Sequence, residues 1–161
     1  MSPPFRIGLG YDSHRLGNGG PLVIGGMEIP AEVHAIGHSD ADVVLHALTD
    51  AILGSVAKED IGRLFPDDAD ENRDRDSRDF VAEAMRILNQ SEYQIANVDA
   101  VILAERPKMA PHIDEMRKVI SELLEIEIDQ VSLKAKTGEG VGEIGSGVAI
   151  AARVVTLVYR N

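Results

Sequence analysis

Residues 98–135, VDAVILAERPKMAPHIDEMRKVISELLEIEIDQVSLKA, carry the pattern that decides the fold. The first seven, 98–104, are rich in Val and Ile and predict a strand. Pro107 and Pro111 bracket a short loop, and Pro111 suits the first turn of a helix. Ile113, Met116, Val119, Ile120, Leu123 and Leu124 then recur on one face of that helix. Residues 131–135 predict a second strand. A strand, a helix and a strand in this order stack a helix layer on a sheet.

Working outward, the same alternation continues. Residues 5–11 alternate and predict a strand, followed by a Gly-rich turn at 16–21. Residues 22–29 predict a hairpin, because Gly25-Gly26 suits the positive φ angles of a tight turn. Ser39 is the expected cap of a helix over about 40–57, with Asp40 and Asp42 in its first turn. The acidic stretch 66–79 predicts an exposed loop, mobile without a ligand. Asp76 or Ser77 caps a helix to about residue 90. Residues 138–147 predict a Gly-rich loop. Residues 148–159 are a long apolar strand, or a helix by their Ala content. The expected architecture is one α+β domain over 1–161: a two-layer sandwich with a mixed sheet and helices on one face.

Composition narrows the function. The chain has 161 residues, 44% of them hydrophobic, enough for a real core. Its formal net charge of −11 argues against a nucleic-acid or anionic-membrane partner, which needs clustered cations. An anionic ligand would therefore need local devices: a metal ion, backbone N–H groups, or one placed Lys or Arg. The absence of Cys excludes disulfides, Fe–S clusters and thiolate zinc sites, so any metal must be held by His, Asp and Glu. No apolar run reaches the roughly 18 residues of a membrane span. The N-terminus shows no apolar signal core. A cytoplasmic protein is expected.

Asp12-Ser13-His14 follows the first predicted strand. In extended backbone, Asp12 and His14 project together, as paired metal ligands must; the alternative is a local turn with a solvated His. Asp42 and His46 are four apart on one helix face. Alone they read as a core His bonded to Asp42. Together with Asp12 and His14, they suggest one carboxylate and two imidazoles, the ligand number of a catalytic zinc with an open position, with Asp42 orienting an imidazole. Lys134-Ala135-Lys136-Thr137-Gly138-Glu139 ends a strand and enters the Gly-rich loop. Lys136 and Thr137 can bond phosphate oxygens, and Glu139 can ligate a harder ion such as Mg²⁺. The alternative there is a plain hairpin end. The prolines around residues 104–111 either leave backbone groups free for a base edge or form a plain connection.

Together these motifs resemble one family: the 2-C-methyl-D-erythritol 2,4-cyclodiphosphate synthases of the non-mevalonate isoprenoid pathway. The runs that carry it are 10–14, 38–42 with 45–51, 60–67, 106–109 and 134–139, and the likeness spans about 6–158. The resemblance implies a homotrimer with active sites between subunits and a cytidine diphosphate ester substrate. Its 2-phosphate attacks the β-phosphorus and CMP leaves. Carried over by position, Asp12, His14 and His46 bind zinc, and Glu139 binds Mg²⁺ or Mn²⁺. His38 and Thr137 stabilise the transition state. Substrate contacts fall on Asp12, Ser13, His14, His38, Ser39, Asp50, Asp60, Ile61 and Gly62. A loop over the methylerythritol comprises Phe65, Pro66, Asp67, Asp68 and Ala69. The cytidine pocket takes Ala104, Pro107, Lys108, Met109 and Ala110, and the phosphates meet Lys136, Thr137, Gly138 and Glu139. Fusions in the family imply association with the pathway's cytidylyltransferase.

Three positions depart from the pattern. Many relatives carry Gly-Arg-Gly-Glu-Gly at 145–149, where this chain has Gly-Ser-Gly-Val-Ala. Glu143 replaces a common aromatic, and Lys136 a common Thr. A metallophosphohydrolase would need the same ligands; a trimeric nucleotide-binding or partner-docking protein would instead hold a structural metal in a closed site of four protein ligands.

Overall fold

In the computed structural model, which describes residues 4–66 and 68–160, the ambiguous C-terminal segment is a strand and takes the centre of the sheet. This strand (Ala149–Tyr159) is rich in β-branched residues, which fit a pleated surface. It pairs antiparallel with β1 (Phe5–Asn18) on one side and with a second long strand (Gln94–Leu103) on the other. The remaining strands are β2 (Leu22–Ile24), β3 (Met27–Ile29), β4 (Val33–Ile36) and the edge strand Val131–Lys136. In chain order the three long later strands are β5 (Gln94–Leu103), β6 (Val131–Lys136) and β7 (Ala149–Tyr159). The sheet runs β4-β1-β7-β5-β6 and is mixed, with β5 and β6 parallel and the other pairs antiparallel.

The helices are α1 (Val43–Ser55), α2 (Ile61–Leu64), α3 (Ser77–Gln90), α4 (Ile113–Leu124) and α5 (Gly142–Gly145). Helix α1 is buried on nearly every side, as a helix apolar all round must be. It rests on β1 and β7 and is covered by α3. It comes unusually close to β1 because Gly8 and Gly10 present no side chain. A Cβ on Gly8 would stand 1.8 Å from the Ala51 carbonyl oxygen. Helices α3 and α4 are amphipathic and bury Phe80, Val81, Ala84 and Leu88, and Met116, Ile120 and Leu124.

On the opposite face of the sheet, several large apolar side chains are exposed. Ile7 and Leu9 are 72% and 68% exposed, with Phe5, Tyr11 and Val155 beside them. The two-layer expectation is met, as is the hairpin at 22–29. Gly25 and Gly26 have φ values of 61° and 75°.

Several boundaries differ from expectation. Strand β1 continues to Asn18 because β4 pairs with its second half. Strand β4 has only four residues, too few to show a period. The cap of α1 is Asp42 rather than Ser39: its carboxylate accepts the N–H groups of Val44 and Leu45. Short helix α5 falls inside the stretch expected to be a Gly-rich loop. Among the described residues of this stretch, 66 and 68–79, several are tied down. The Asp74 N–H donates to the His38 carbonyl at 2.7 Å, and the Asp40 N–H to the Arg75 carbonyl at 3.2 Å. The Arg75 guanidinium stacks on Phe65 and Phe80. No helix among the described residues is long and apolar enough to cross a membrane.

Candidate metal centre and active site

Alternation along β1 aims Asp12 and His14 at the helix layer. The close seat of α1 then brings His46 to the same point. Asp12 Oδ2 is 2.9 Å from His14 Nε2 and 3.1 Å from His46 Nδ1, and the two nitrogens are 3.3 Å apart. The three atoms form a nearly equilateral face. A metal bound tetrahedrally at about 2.0–2.1 Å spaces its ligand atoms by about 3.3–3.4 Å. One carboxylate and two imidazoles are also a donor set suited to zinc without thiolate. Among the described residues these three are the only such group with metal-ligand geometry.

The electrostatics suit a cation. Burial pushes the Asp12 carboxyl up, but its hydrogen bonds to His14 and His46 and their charge outweigh that and hold it at about 2. Burial pushes His14 down, yet the hydrogen bond and charge of Asp12 raise it above its ordinary value, helped by a bond to the Ile36 backbone. A positive charge is thus favoured where these side chains meet.

Asp42 does not orient an imidazole. Its carboxylate is fully buried and accepts four backbone N–H groups: Gly25 at 2.9 Å, Gly26 at 2.7 Å, Val44 at 3.1 Å and Leu45 at 3.0 Å. It caps α1 and fastens the β2–β3 turn to it. The outer ring nitrogen of His46 instead meets the hydroxyls of Ser77, at 2.8 Å, and Ser39, at 3.0 Å. Ser77 in turn donates to Asp40. Ser77 and Asp40 lie 37 residues apart, so no local spacing announced them. Phe80, whose ring stands 5.7 Å from that of His46, was equally hidden.

A cavity of about 520 Å³ opens beside the three ligands. His38, Ser39, Ile61, Gly62 and Phe65 line it, joined by Asn72 and Phe80. Asp50 and Asp60 stand behind this wall. Asp50 accepts the Ile61 N–H at 2.8 Å, and Asp60 caps α2 through the Arg63 N–H at 3.0 Å. Burial raises the Asp50 pKa; the Ile61 bond opposes this, and the Asp60 charge adds to it. Ser13 falls on the other face of β1 and does not join the cavity. The Pro66 carbonyl accepts the Asn72 side chain at 2.9 Å, while Asp68 and Ala69 flank the 3-10 turn at 70–72. Asp67 lies outside the described residues.

The remaining candidates gather at a second place. The Ala104 N–H donates to the Lys136 carbonyl at 3.0 Å, and the Gly138 N–H to Glu105 Oε2 at 2.9 Å. These bonds join the stretch holding Pro107, Lys108, Met109 and Ala110 to the stretch holding Lys136, Thr137, Gly138 and Glu139. Register puts Ser13, Ala151, Leu103 and Lys136 in one row across the sheet. Three strand spacings, about 14 Å in all, therefore separate the two places within one chain.

A two-layer domain with an open Asp/His/His face beside a cleft defines a class of small α+β protein built to hold one metal ion against a ligand. Comparison with known proteins makes the class specific. The YgbB family model matches residues 5–159. The 2-C-methyl-D-erythritol 2,4-cyclodiphosphate synthase of Rhodopirellula baltica is 67% identical over 98% of this chain and 95% of its own. The Plasmodium falciparum protein solved as a CDP complex superposes with a TM-score of 0.88 at 34% identity, covering 100% of both chains. The bifunctional IspDF of Campylobacter jejuni superposes with a TM-score of 0.93 at 29% identity; the match covers 98% of this chain and 42% of that one. The chain belongs to the YgbB family of 2-C-methyl-D-erythritol 2,4-cyclodiphosphate synthases, phosphorus–oxygen lyases that cyclise their substrate with release of CMP in isoprenoid precursor biosynthesis. The hydrolase and non-enzymatic readings fall away.

Proposed function

We propose that Asp12, His14 and His46 hold a zinc ion against the β-phosphate of 4-diphosphocytidyl-2-C-methyl-D-erythritol 2-phosphate, and that Glu139 holds a Mg²⁺ or Mn²⁺ ion shared with the substrate phosphates. The near-equilateral ligand face carries this reading. Such ions, held by Asp12, His14 and His46 and by Glu139, would supply Lewis-acid neutralisation of phosphate charge. The chain's own residues supply position. The attacking phosphate is already ionised near neutral pH, so no strong general base is required. Orientation of the two phosphates and neutralisation of their charge are what the site must provide. His38 and Thr137 are assigned to donate to the phosphoryl oxygens in the transition state. Ser39, Ile61 and Gly62 shape the wall for the methylerythritol, with Phe65, Pro66, Asp68 and Ala69 beside it. Asp50 and Asp60 hold that wall through α2. Backbone groups of Ala104, Pro107, Lys108, Met109 and Ala110 receive the cytosine, and Lys136 adds a cation beside the diphosphate.

The working unit in this proposal is a homotrimer whose sites are completed across subunits. Two observations support it. The apolar face formed by Phe5, Ile7, Leu9 and Tyr11 is larger than scattered surface residues explain. The metal-binding and cytidine-binding halves are also too far apart in one chain to act on one diphosphate without help from a neighbour. The fused Campylobacter protein supports association with the pathway's cytidylyltransferase. A cytoplasmic setting is part of the same proposal.

The test is ³¹P NMR of the substrate with the protein, zinc and Mg²⁺. A cyclic diphosphate with stoichiometric CMP supports the reading. An open-chain phosphate, or unchanged substrate with metal present, contradicts it.

A further inference from the structure

We propose that Ser77, backed by Asp40, is a positioning group that fixes His46 in the tautomer its metal-facing nitrogen needs. The proposal rests on the metal reading above and goes beyond the ligands themselves. His46 directs Nδ1 toward Asp12 Oδ2 and His14 Nε2. A ring nitrogen that binds a metal carries no hydrogen, so the other nitrogen must carry it and needs an acceptor. Two hydroxyl oxygens stand near Nε2, and their surroundings differ.

Ser77 is fully buried at the start of α3. Its hydroxyl proton is committed to Asp40 Oδ1, and its backbone N–H donates to Asp40 Oδ2 at 3.0 Å. The oxygen is left with only lone pairs to offer, and it offers them 2.8 Å from His46 Nε2. Donation to a carboxylate makes a hydroxyl oxygen a better acceptor. The chain Asp40–Ser77–His46 therefore has one consistent direction of protons; it competes with the Asp12 carboxylate, 3.1 Å from Nδ1, for the ring proton and favours the tautomer whose Nδ1 is free for the metal. Ser39 is different. It is half-buried on the cavity wall, its Oγ accepts the Ala41 N–H at 3.2 Å, and among the described residues no carboxylate takes its proton. Its hydroxyl faces the cleft as well as His46. The relay also ties together the 38–42 segment, α1 and α3, so the imidazole is aimed from three directions.

The experiment measures zinc affinity of the purified full chain by chelator competition at neutral pH, beside long-range ¹H–¹⁵N spectra of the histidines in zinc-free protein. Ser77→Ala is expected to weaken zinc binding by about 10–100-fold, the usual cost of removing a partner behind a ligating His. His46 is expected to shift from the Nε2–H toward the Nδ1–H pattern. Asp40→Asn, which keeps the serine but removes the charge behind it, is expected to weaken binding by at least about threefold, and Ser39→Ala by less than that. Ser77→Ala with wild-type zinc affinity and an unchanged His46 pattern overturns the proposal. If Ser77→Ala does not fold, wild-type affinity in Asp40→Asn overturns it instead. Failure of the underlying metal reading looks different: wild type and His46→Ala would then bind zinc equally.

Discussion

Gly10 and Ala47 are in contact through their main chains: a Cβ at position 10 would stand 1.7 Å from the Ala47 carbonyl oxygen. This approach seats α1 on β1, and His46 precedes Ala47. The glycine is thus what lets His46 reach Asp12. Gly10→Ala is expected to lose about 1–3 kcal/mol of stability through overpacking. The variant should also bind zinc more weakly, because α1 must lift from the strand. Urea unfolding and a zinc titration check both effects.

His46→Ala removes one corner of the ligand face. Zinc binding and turnover should each fall by more than about 100-fold, beyond the cost of losing an outer-shell partner. Glu139→Ala should keep zinc but demand far more Mg²⁺ or Mn²⁺ for the same rate. Metal analysis with rate measurements over a Mg²⁺ series separates the two.

The pH dependence follows from the Asp12–His14 pair. In the metal-free protein His14 titrates above its ordinary 6.5, so its contribution is complete below 6.5 and fades as pH rises through the folded value. Asp12 is held at about 2 rather than 3.8, so its contribution is present above 3.8 and fades as pH falls toward 2. The unliganded pair is therefore strongest between these limits, where zinc must displace the His14 proton. The rise in Tm on adding zinc should be larger at mildly alkaline than at mildly acidic pH. Calorimetry at both values checks the order.

Asp42→Ala should destabilise the fold by more than about 3 kcal/mol, since it removes a helix cap and orphans buried donors at Gly25 and Gly26. Thermal unfolding of the variant checks this.

Legibility in the sequence followed the range of the interactions. Asp12 and His14 were readable because a strand puts alternate residues on one side. His46 was readable only in combination with them. Asp42 looked like its partner because the spacing of four is local, but capping α1 and fastening Gly25 and Gly26 satisfy that carboxylate instead. The helix boundary moved for the same reason, from Ser39 to Asp42. Strand β4 exists because β1 offers it an edge, and its four residues alone carry no period. Ser77 and Asp40 meet only through the tertiary fold. The runs at 10–14 and 134–139 helped identify the family, yet gave no sign that they stand three strand spacings apart.

The most direct test of the metal centre is anomalous scattering at the zinc edge from crystals of the zinc-loaded protein. One strong peak is expected about 2.0–2.2 Å from Asp12 Oδ2, His14 Nε2 and His46 Nδ1, with the fourth position facing the cavity. A peak held by other residues, or none at this face with zinc bound, would contradict it.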